Sequence, residues 1–267
     1  MKKLIILFLF IFLGANQAVA SVRYEGIVIP VYEIELVMSI DGIISTIFVK
    51  EGDCVRSKDK LLKLDNTLQR LEVERRKKIY YDNAEIESNK ENLVIIKSLL
   101  DSARRLYEET ASVSHDEVKN LEMQYHSLSG KINVAEAKKK QEHIEYEISR
   151  EVLARYVLTS PINGMVTVIK REEGEWAKAG EMIVTVVDTS DCYVDFNIDE
   201  QYARTLRKGD IVSIGVSEGE GISIKKGTVV FVSSVADKAS GLVKVKVEFE
   251  NKSGKVIPGG LATISFK

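Results

Sequence analysis

The sequence predicts an α+β fold: a small β-sandwich split by a long antiparallel helical hairpin and followed by a small antiparallel β-barrel. Two observations carry this prediction. One segment of the chain occurs twice, and the insert between its two copies has a helical heptad pattern without proline. A third observation, short strand-like runs separated by glycine in the last third of the chain, predicts the barrel.

The repeated segment is Asp41–Asp65, which returns as Asn163–Asp188. Both copies contain short β-branched runs broken by glycine, a pattern that predicts a strand, a turn and a second strand. One such half cannot bury its apolar face alone, so we expect the two copies to pack face to face. The glycines are candidates for turn positions with positive φ. These candidate turn residues are Gly42, Gly52, Gly164, Gly174 and Gly180.

The insert, residues 66–154, contains no proline and a single glycine, Gly130. Apolar residues recur every seven positions in its first half and at spacings of three and four in its second, which predicts two long helices in a coiled coil. Ser114 with Glu117 three residues later forms a capping box between them, so each arm has about 40 residues and spans roughly 60 Å. Lysines 138–140 interrupt the second stripe, and we expect Ile144 and Ile148 to resume it in another phase. The first-half stripe residues are Ile79, Ile86, Leu93, Leu100 and Tyr107.

The chain after Asp188 changes to a β pattern that predicts a barrel over residues 189–267. A short helix is expected within DEQYARTLRKGD, closed by Gly209. The expected strands are Ile211–Val216, Gly227–Val235, Leu242–Phe249 and Leu261–Phe266.

The N-terminal segment predicts a secretory signal peptide over residues 1–20. Lys2 and Lys3 precede the apolar run Leu4–Leu13, and Ala18-Val19-Ala20 is a small-residue cleavage site. We therefore expect cleavage after Ala20 and a mature chain outside the cytoplasm. An uncleaved N-terminal anchor is the alternative.

The composition argues against several classes of function. The net charge of −2 does not favour nucleic-acid binding, which usually needs a basic face. Three histidines and two cysteines leave little material for a metal site or a nucleophile with its base, so we expect no catalytic residues, no metal and no cofactor. We expect Cys54 and Cys192 to be unpaired and partly buried thiols, with a disulfide between them as the alternative.

Four motifs, in this order and spacing, resemble the membrane fusion proteins. These are the periplasmic adaptor subunits of tripartite efflux pumps (RND-type, HlyD-like superfamily). The resemblance covers the whole mature chain and implies a lipoyl-like barrel-sandwich domain in two halves, residues 21–65 and 155–188, around a helical hairpin and before a β-barrel domain. The motifs are G-x-x-x-x-x-x-V-x-E-G-D-x-V in Gly42–Val55, S-P-I-N-G-x-V in Ser160–Val166, E-G-E in Glu173–Glu175 and N-K-S-G-K-V-I-P-G-G in Asn251–Gly260.

The resemblance implies a non-catalytic adaptor that links an inner-membrane transporter, RND-type, to an outer-membrane channel. It also implies a ring of six copies in the periplasm, with contacts to the channel through an Arg, a Leu and a Ser at the hairpin tip. Here the candidates are Leu106, Ser114 and either Arg104 or Arg105. The arginine is left open because the spacing from Leu106 to Ser114 is one residue longer than is usual in the family. The alternative is that Leu106 closes the coiled-coil stripe, the arginines are solvated and Ser114 only caps a helix.

The chain departs from the family pattern in two places. Lys58 stands where the family often has Gly, at the position that Gly180 has in the other copy, so we expect a distorted turn. We also expect the membrane-proximal domain to be absent, which leaves the barrel as the candidate contact with the transporter.

Three other classes of function remain as alternatives. One is an adaptor of an ABC-type exporter or of a type I secretion system. Another is a structural coiled-coil protein of the envelope, which the duplicated halves disfavour. The third, a lipoyl-type carrier, is disfavoured because VMSIDG holds no lysine for modification.

Overall fold

The computed structural model describes residues 22–219 and 221–266, so the predicted signal peptide lies outside the described residues. The described chain is α+β, as predicted. Its elements in chain order are β1 (Val22–Val37), β2 (Gly42–Ile47), β3 (Cys54–Val55), β4 (Lys60–Leu64), α1 (Thr67–Tyr81), α2 (Ala84–Thr110), α3 (His115–Ala154), β5 (Val157–Thr159), β6 (Gly164–Ile169), β7 (Trp176–Ala177), β8 (Met182–Asp199), α4 (Glu200–Ala203), β9 (Ile211–Glu218), β10 (Gly221–Ala236), β11 (Leu242–Glu250) and β12 (Leu261–Phe266).

The chain divides into two compact units. One contains the described residues up to Glu33 and from Val187 onward, and the other contains Ile34–Val186. Strands β1 and β8 each pass through both units.

The first unit is a barrel of strands in the order β1-β12-β9-β10-β11-β8, which closes because β1 also pairs with β8. Strand β1 was not assigned from the sequence, yet it completes the barrel. Gly26 permits its close approach to β8, because a Cβ there would lie 2.6 Å from the carbonyl oxygen of Asp195. The core is built from alternate residues of the strands, with Phe196 and Val245 fully buried.

The predicted helix before the barrel strands is shorter than expected. Helix α4 covers only Glu200–Ala203, and the chain then turns rather than continuing to Gly209. The carboxylate of Asp210 accepts a hydrogen bond from the backbone N–H of Arg207, and Gly209 has φ 99°. This local turn competes with helical hydrogen bonding, which explains the early end.

In the second unit, the two copies of the repeated segment form a β-sandwich. Its sheet has the strand order β5-β4-β2-β7, and β3 pairs antiparallel with β6. A two-residue strand of each copy pairs with a longer strand of the other copy. Strand β7 of the second copy pairs with β2 of the first, and β3 of the first copy pairs with β6 of the second. The core between them contains Ile44, Leu62, Val166 and Val184, which are all at most 1% exposed.

Equivalent hydrogen bonds join the two copies in both directions. The N–H of Ile44 donates to the carbonyl of Glu175, and the N–H of Val166 donates to the carbonyl of Asp53, each at 2.9 Å. Both pairs are related by the same shift of 122 residues that aligns Gly42 with Gly164. The sandwich therefore has a pseudo-twofold axis, and neither copy is complete without the other.

Three helices fill the insert, and α3 packs against both α1 and α2. The antiparallel course is shown by ion pairs between increasingly distant residues. Arg104 pairs with Glu122 near the turn, and Lys90 pairs with Glu136 further from it.

The prediction of one uninterrupted first helix is wrong. Helix α1 ends at Tyr81, and Asp82 is extended with φ −77° and ψ 104°. The Asp82 carboxylate accepts a hydrogen bond from the N–H of Ala84 at 3.2 Å. Asp and Asn side chains favour such local bonds over the helical ladder, and Asp82 is followed by Asn83.

Ile144 and Ile148 do not resume the buried stripe, contrary to prediction. Both are 57% exposed. Beyond the break, α3 instead turns polar groups towards α1: Lys139 hydrogen-bonds to carbonyls of α1, and Glu145 pairs with Arg76.

Among the described residues, none of the helices combines the length and apolar character that crossing a bilayer requires.

Candidate docking site at the helical tip

The chain reverses direction between α2 and α3 in a short turn with defined caps. Helix α2 ends at Thr110, and Ala111 then takes a left-handed conformation with φ 50°. The Ser114 hydroxyl accepts a hydrogen bond from the N–H of Glu117 at 3.1 Å, so the predicted cap of α3 is present.

A small apolar cluster supports the turn from below. Leu100, Ala103 and Val118 are buried between the two helices. Val113 from the turn and Leu121 from α3 pack against them. This cluster fixes the end of the helical pair, so that the residues beyond it are presented on an ordered surface.

Leu106 lies beyond this cluster and does not close the stripe. Its side chain is 45% exposed, and the last buried residue of α2 is Ala103. A single exposed leucine is ordinary on a protein surface, so Leu106 is a candidate contact only together with the other residues of the tip.

The two candidate arginines have different surroundings. Arg104 donates to the carboxylate of Glu122 on α3 at 2.6 Å, and this pair lowers the pKa of Glu122 from its usual value. Arg105 makes no salt bridge with any residue that the structure describes. Arg104 therefore has an intramolecular role, whereas the guanidinium of Arg105 has no acidic partner among the described residues.

Sequence reasoning missed an aromatic pair across the turn. The rings of Tyr107 and His115 stack with their centroids 5.5 Å apart. Each ring flanks the turn, one before the end of α2 and the other at the first residue of α3. The available signal was the presence of an aromatic residue in the last turn of α2 and a histidine at the start of α3.

The sandwich turns only partly follow the predicted pattern. Gly52, Gly174 and Gly180 have φ values of 93°, 89° and 78°, as expected for turn glycines. Gly42 and Gly164 instead begin strands β2 and β6. At Gly42 the constraint is space, because a Cβ there would lie 3.1 Å from a methyl group of Leu64.

The turn at Lys58 is not distorted, contrary to expectation. Lys58 has φ 74°, close to the 78° of Gly180. Its N–H donates to the carbonyl of Ser160 at 2.7 Å, and the N–H of Gly180 makes the equivalent bond to Met38 at 2.9 Å. The lysine therefore adopts the backbone conformation of a glycine.

Both cysteines are free thiols. Cys54 is exposed rather than partly buried, whereas Cys192 is buried in the barrel core, and burial raises the pKa of its thiol. Within residues 22–219 and 221–266, no three His, Cys, Asp or Glu side chains lie close enough together to hold a metal ion.

Comparison with known proteins identifies the family. A family model described as "RND MFP, barrel-sandwich hybrid domain" matches residues 33–189, more than half of the chain. The chain belongs to this family of membrane fusion proteins. The match contains both copies of the repeated segment and the helices between them.

Solved structures of membrane fusion proteins share the fold. The crystal structure of MacA from Actinobacillus actinomycetemcomitans superposes with a TM-score of 0.68 at 22% identity, covering 92% of this chain and 78% of that one. The membrane fusion protein Spr0693 from Streptococcus pneumoniae R6 has a TM-score of 0.59 at 14% identity, covering 92% and 99%.

Among curated proteins, an uncharacterized protein of Haemophilus influenzae is 22% identical over 228 residues, 82% of this chain. The chain spans 50% of that relative's length. It spans 57% of the length of a second curated relative that it matches.

Proposed function

We propose that this membrane fusion protein is a non-catalytic periplasmic adaptor that links an inner-membrane transporter to an outer-membrane channel. The observation that carries the proposal is the tip. It ends in an ordered turn beside which the Leu106 side chain is 45% exposed and Arg105 forms no salt bridge with the described residues. The family match supports the adaptor role, because this family consists of adaptors rather than enzymes.

The contact with the channel is assigned to Arg105, Leu106 and Ser114. Arg105 supplies a charge and Leu106 an apolar surface, and arginine is enriched at protein interfaces. Ser114 keeps the turn in place through its cap, and it is exposed at the same end of the helices. Arg104 acts indirectly, because its bond to Glu122 holds α2 against α3 just below the turn.

The helices support an antiparallel coiled-coil hairpin that joins its neighbours sideways. At 100° per residue, the exposed apolar side chains of α3 fall within an arc of about 80°. An exposed apolar stripe along a helix marks an interaction surface. We assign it to further copies of the chain in a ring, for which six copies is the family pattern. The stripe residues of α3 are Met123, Val134, Ile144, Ile148 and Val152.

The domains of the proposed adaptor follow the sequence boundaries except at the two strands that pass through both compact units. The lipoyl-like sandwich comprises residues 34–65 and 155–186, the hairpin residues 66–154, and the barrel residues 22–33 and 187–266. We propose export through a signal peptide, residues 1–20, and contact with the transporter through the barrel. The barrel surface offers exposed isoleucines for this contact, among them Ile222 and Ile224 on β10.

We assign the transporter to the RND type, which the description of the matching family model supports. The energy source of export separates this assignment from an ABC-type exporter. Collapse of the proton gradient in cells with intact ATP should stop export by an RND partner, whereas continued export would favour the ABC alternative.

Reversing the charge at the tip tests the adaptor role. Arg105→Asp and Leu106→Ser change exposed residues, so each should alter the free energy of unfolding by less than about 0.5 kcal/mol. If the tip contacts the channel, the double variant should lose export while its circular dichroism spectrum and expression stay unchanged. Export is measured as intracellular accumulation of toxic compounds across a broad panel.

Lys97→Asp is the matched control, because Lys97 is exposed on α2 away from the tip. It should leave export unchanged. Normal export by a stable Arg105→Asp, Leu106→Ser variant would remove these residues from the proposed site.

A further inference from the structure

The two copies of the sandwich repeat share the acidic residues that form hydrogen bonds in their equivalent turns, but they differ in charge at several exposed positions. Glu51 and Glu173 make equivalent hydrogen bonds in the two copies. The carboxylate of Glu51 accepts a hydrogen bond from the N–H of Ile169 at 2.9 Å, and that of Glu173 accepts one from the N–H of Ile47 at 2.7 Å. The carboxylates of Asp53 and Glu175 likewise each accept an N–H within their own turn. These positions have kept their charge in both copies.

Other equivalent positions carry different charges. Lys50 corresponds to Glu172, Lys58 to Gly180 and Lys60 to Met182. Residues 49–60 hold four basic and three acidic side chains, net +1, whereas residues 171–182 hold two basic and four acidic side chains, net −2. The pseudo-twofold axis therefore relates a basic surface to an acidic one.

The basic side chains at these positions lack an acidic partner within the part of the chain that the structure describes. Lys50, Lys58 and Lys60 are exposed, and none of them forms a salt bridge with another residue that the structure describes. Lys58 also holds φ 74°, where its counterpart is a glycine without strain. The backbone of Lys58 is held by pairing with the other copy, but its side chain forms no salt bridge with the described residues, which leaves the ammonium available for a contact elsewhere.

We propose that this basic surface, defined by Lys50, Lys58 and Lys60, binds the acidic surface around Glu172 on a second copy of the chain. The contact is head-to-tail, because it joins two different surfaces of identical chains. This inference rests on the proposed adaptor function only in assuming that the copies assemble into a ring.

A second copy is the favoured occupant because the chain itself carries the complementary surface. The pseudo-twofold axis gives the two surfaces the same backbone framework, since the equivalent turns share their hydrogen bonds. Their net charges are opposite in sign. Two basic surfaces would repel each other, so a twofold contact between them is disfavoured, and this fixes the direction in which the copies follow one another.

Mixed disulfide formation tests the direction of the contact. In full-length protein with Cys54→Ser, one chain carries Lys58→Cys and another carries Glu172→Cys. Under mild oxidation the mixture should form disulfide-linked dimers, and each chain alone should not. Equal dimer formation by either chain alone, or none in the mixture, would overturn the proposal.

Charge exchange tests the electrostatics. Lys50→Glu and Glu172→Lys should each weaken self-association in sedimentation experiments by about fivefold, and combining them should restore it. Self-association should also weaken as salt rises. Lys238→Glu, an exposed turn in the barrel unit, is the control and should have no effect.

The outcomes separate this surface from the adaptor role. Absence of self-association by the unaltered chain, or self-association that ignores both reversals, would contradict the proposed surface. If the reversals spared self-association but abolished export, the surface would belong to another acidic partner and the adaptor role would stand. If self-association responds to both reversals but the Arg105→Asp, Leu106→Ser variant exports normally, the adaptor role alone would be contradicted.

Discussion

Lys58 and Gly180 show how a single residue is constrained by the repeat. The two turns have nearly the same φ and the same backbone hydrogen bond, although one holds a lysine. The sequence predicted a turn at this position but not its geometry, because propensity alone disfavours lysine at positive φ. The pairing with the other copy overrides that preference. The sequence also left Arg104 and Arg105 equivalent, since only the packing of α3 shows that Glu122 takes one of them.

Relieving this turn should stabilise the protein. Lys58→Gly removes a left-handed strain of about 1–2 kcal/mol and adds an entropic cost of roughly 0.5–1 kcal/mol. We expect a net gain of about 0.5–1 kcal/mol in the free energy of unfolding, measured by urea denaturation.

Gly180→Ala is the mirror experiment at the equivalent turn. No atom lies within 4 Å of the added Cβ, so only the backbone strain is tested, and we expect a loss of about 1 kcal/mol. A destabilising Lys58→Gly would show that the lysine side chain contributes to the fold itself.

The break between α1 and α2 is the feature of the helical elements that the sequence did not reveal. The heptad stripe runs through it, so periodicity predicted one helix. The deciding contacts are tertiary. The ammonium of Lys139 on α3 donates to the carbonyl of Ile79 at 2.7 Å and to that of Tyr80 at 3.3 Å, and it pairs with Glu142 at 2.7 Å. It therefore supplements the weak backbone bonding at the end of α1, where the carbonyl of Ile79 otherwise accepts only a long 3.4 Å bond from the N–H of Asp82.

Removing this ammonium should destabilise the helix ends on either side of the break between α1 and α2. Lys139→Met keeps the aliphatic stem, and we expect faster amide hydrogen exchange at the end of α1 and the start of α2, with the tip unchanged. Lys138→Met is the matched control, because Lys138 is largely exposed and lies 4.0 Å from the same glutamate. Equal exchange in both variants would mean that Lys139 does not hold the break.

At the scale of the whole molecule, the repeat was the strongest sequence signal. A constant offset between two glycine-punctuated segments predicted that neither copy is complete alone, and the reciprocal pairing of β2 with β7 and of β3 with β6 bears this out. Strand β1 was not predicted, because its sixteen residues contribute to two compact units and do not show one regular alternation of buried and exposed side chains. The acidic and basic surfaces became visible only when the pseudo-twofold axis related them.

Site-specific photo-crosslinking from the tip tests the adaptor role most directly. A photoreactive residue replaces Leu106 in one strain and Val94, exposed about three turns back on α2, in another. In growing cells, the tip position should crosslink to an outer-membrane channel protein, and the Val94 position should not. Absence of any outer-membrane product from position 106 in a strain that still exports, or the same product from both positions, would contradict docking through the tip.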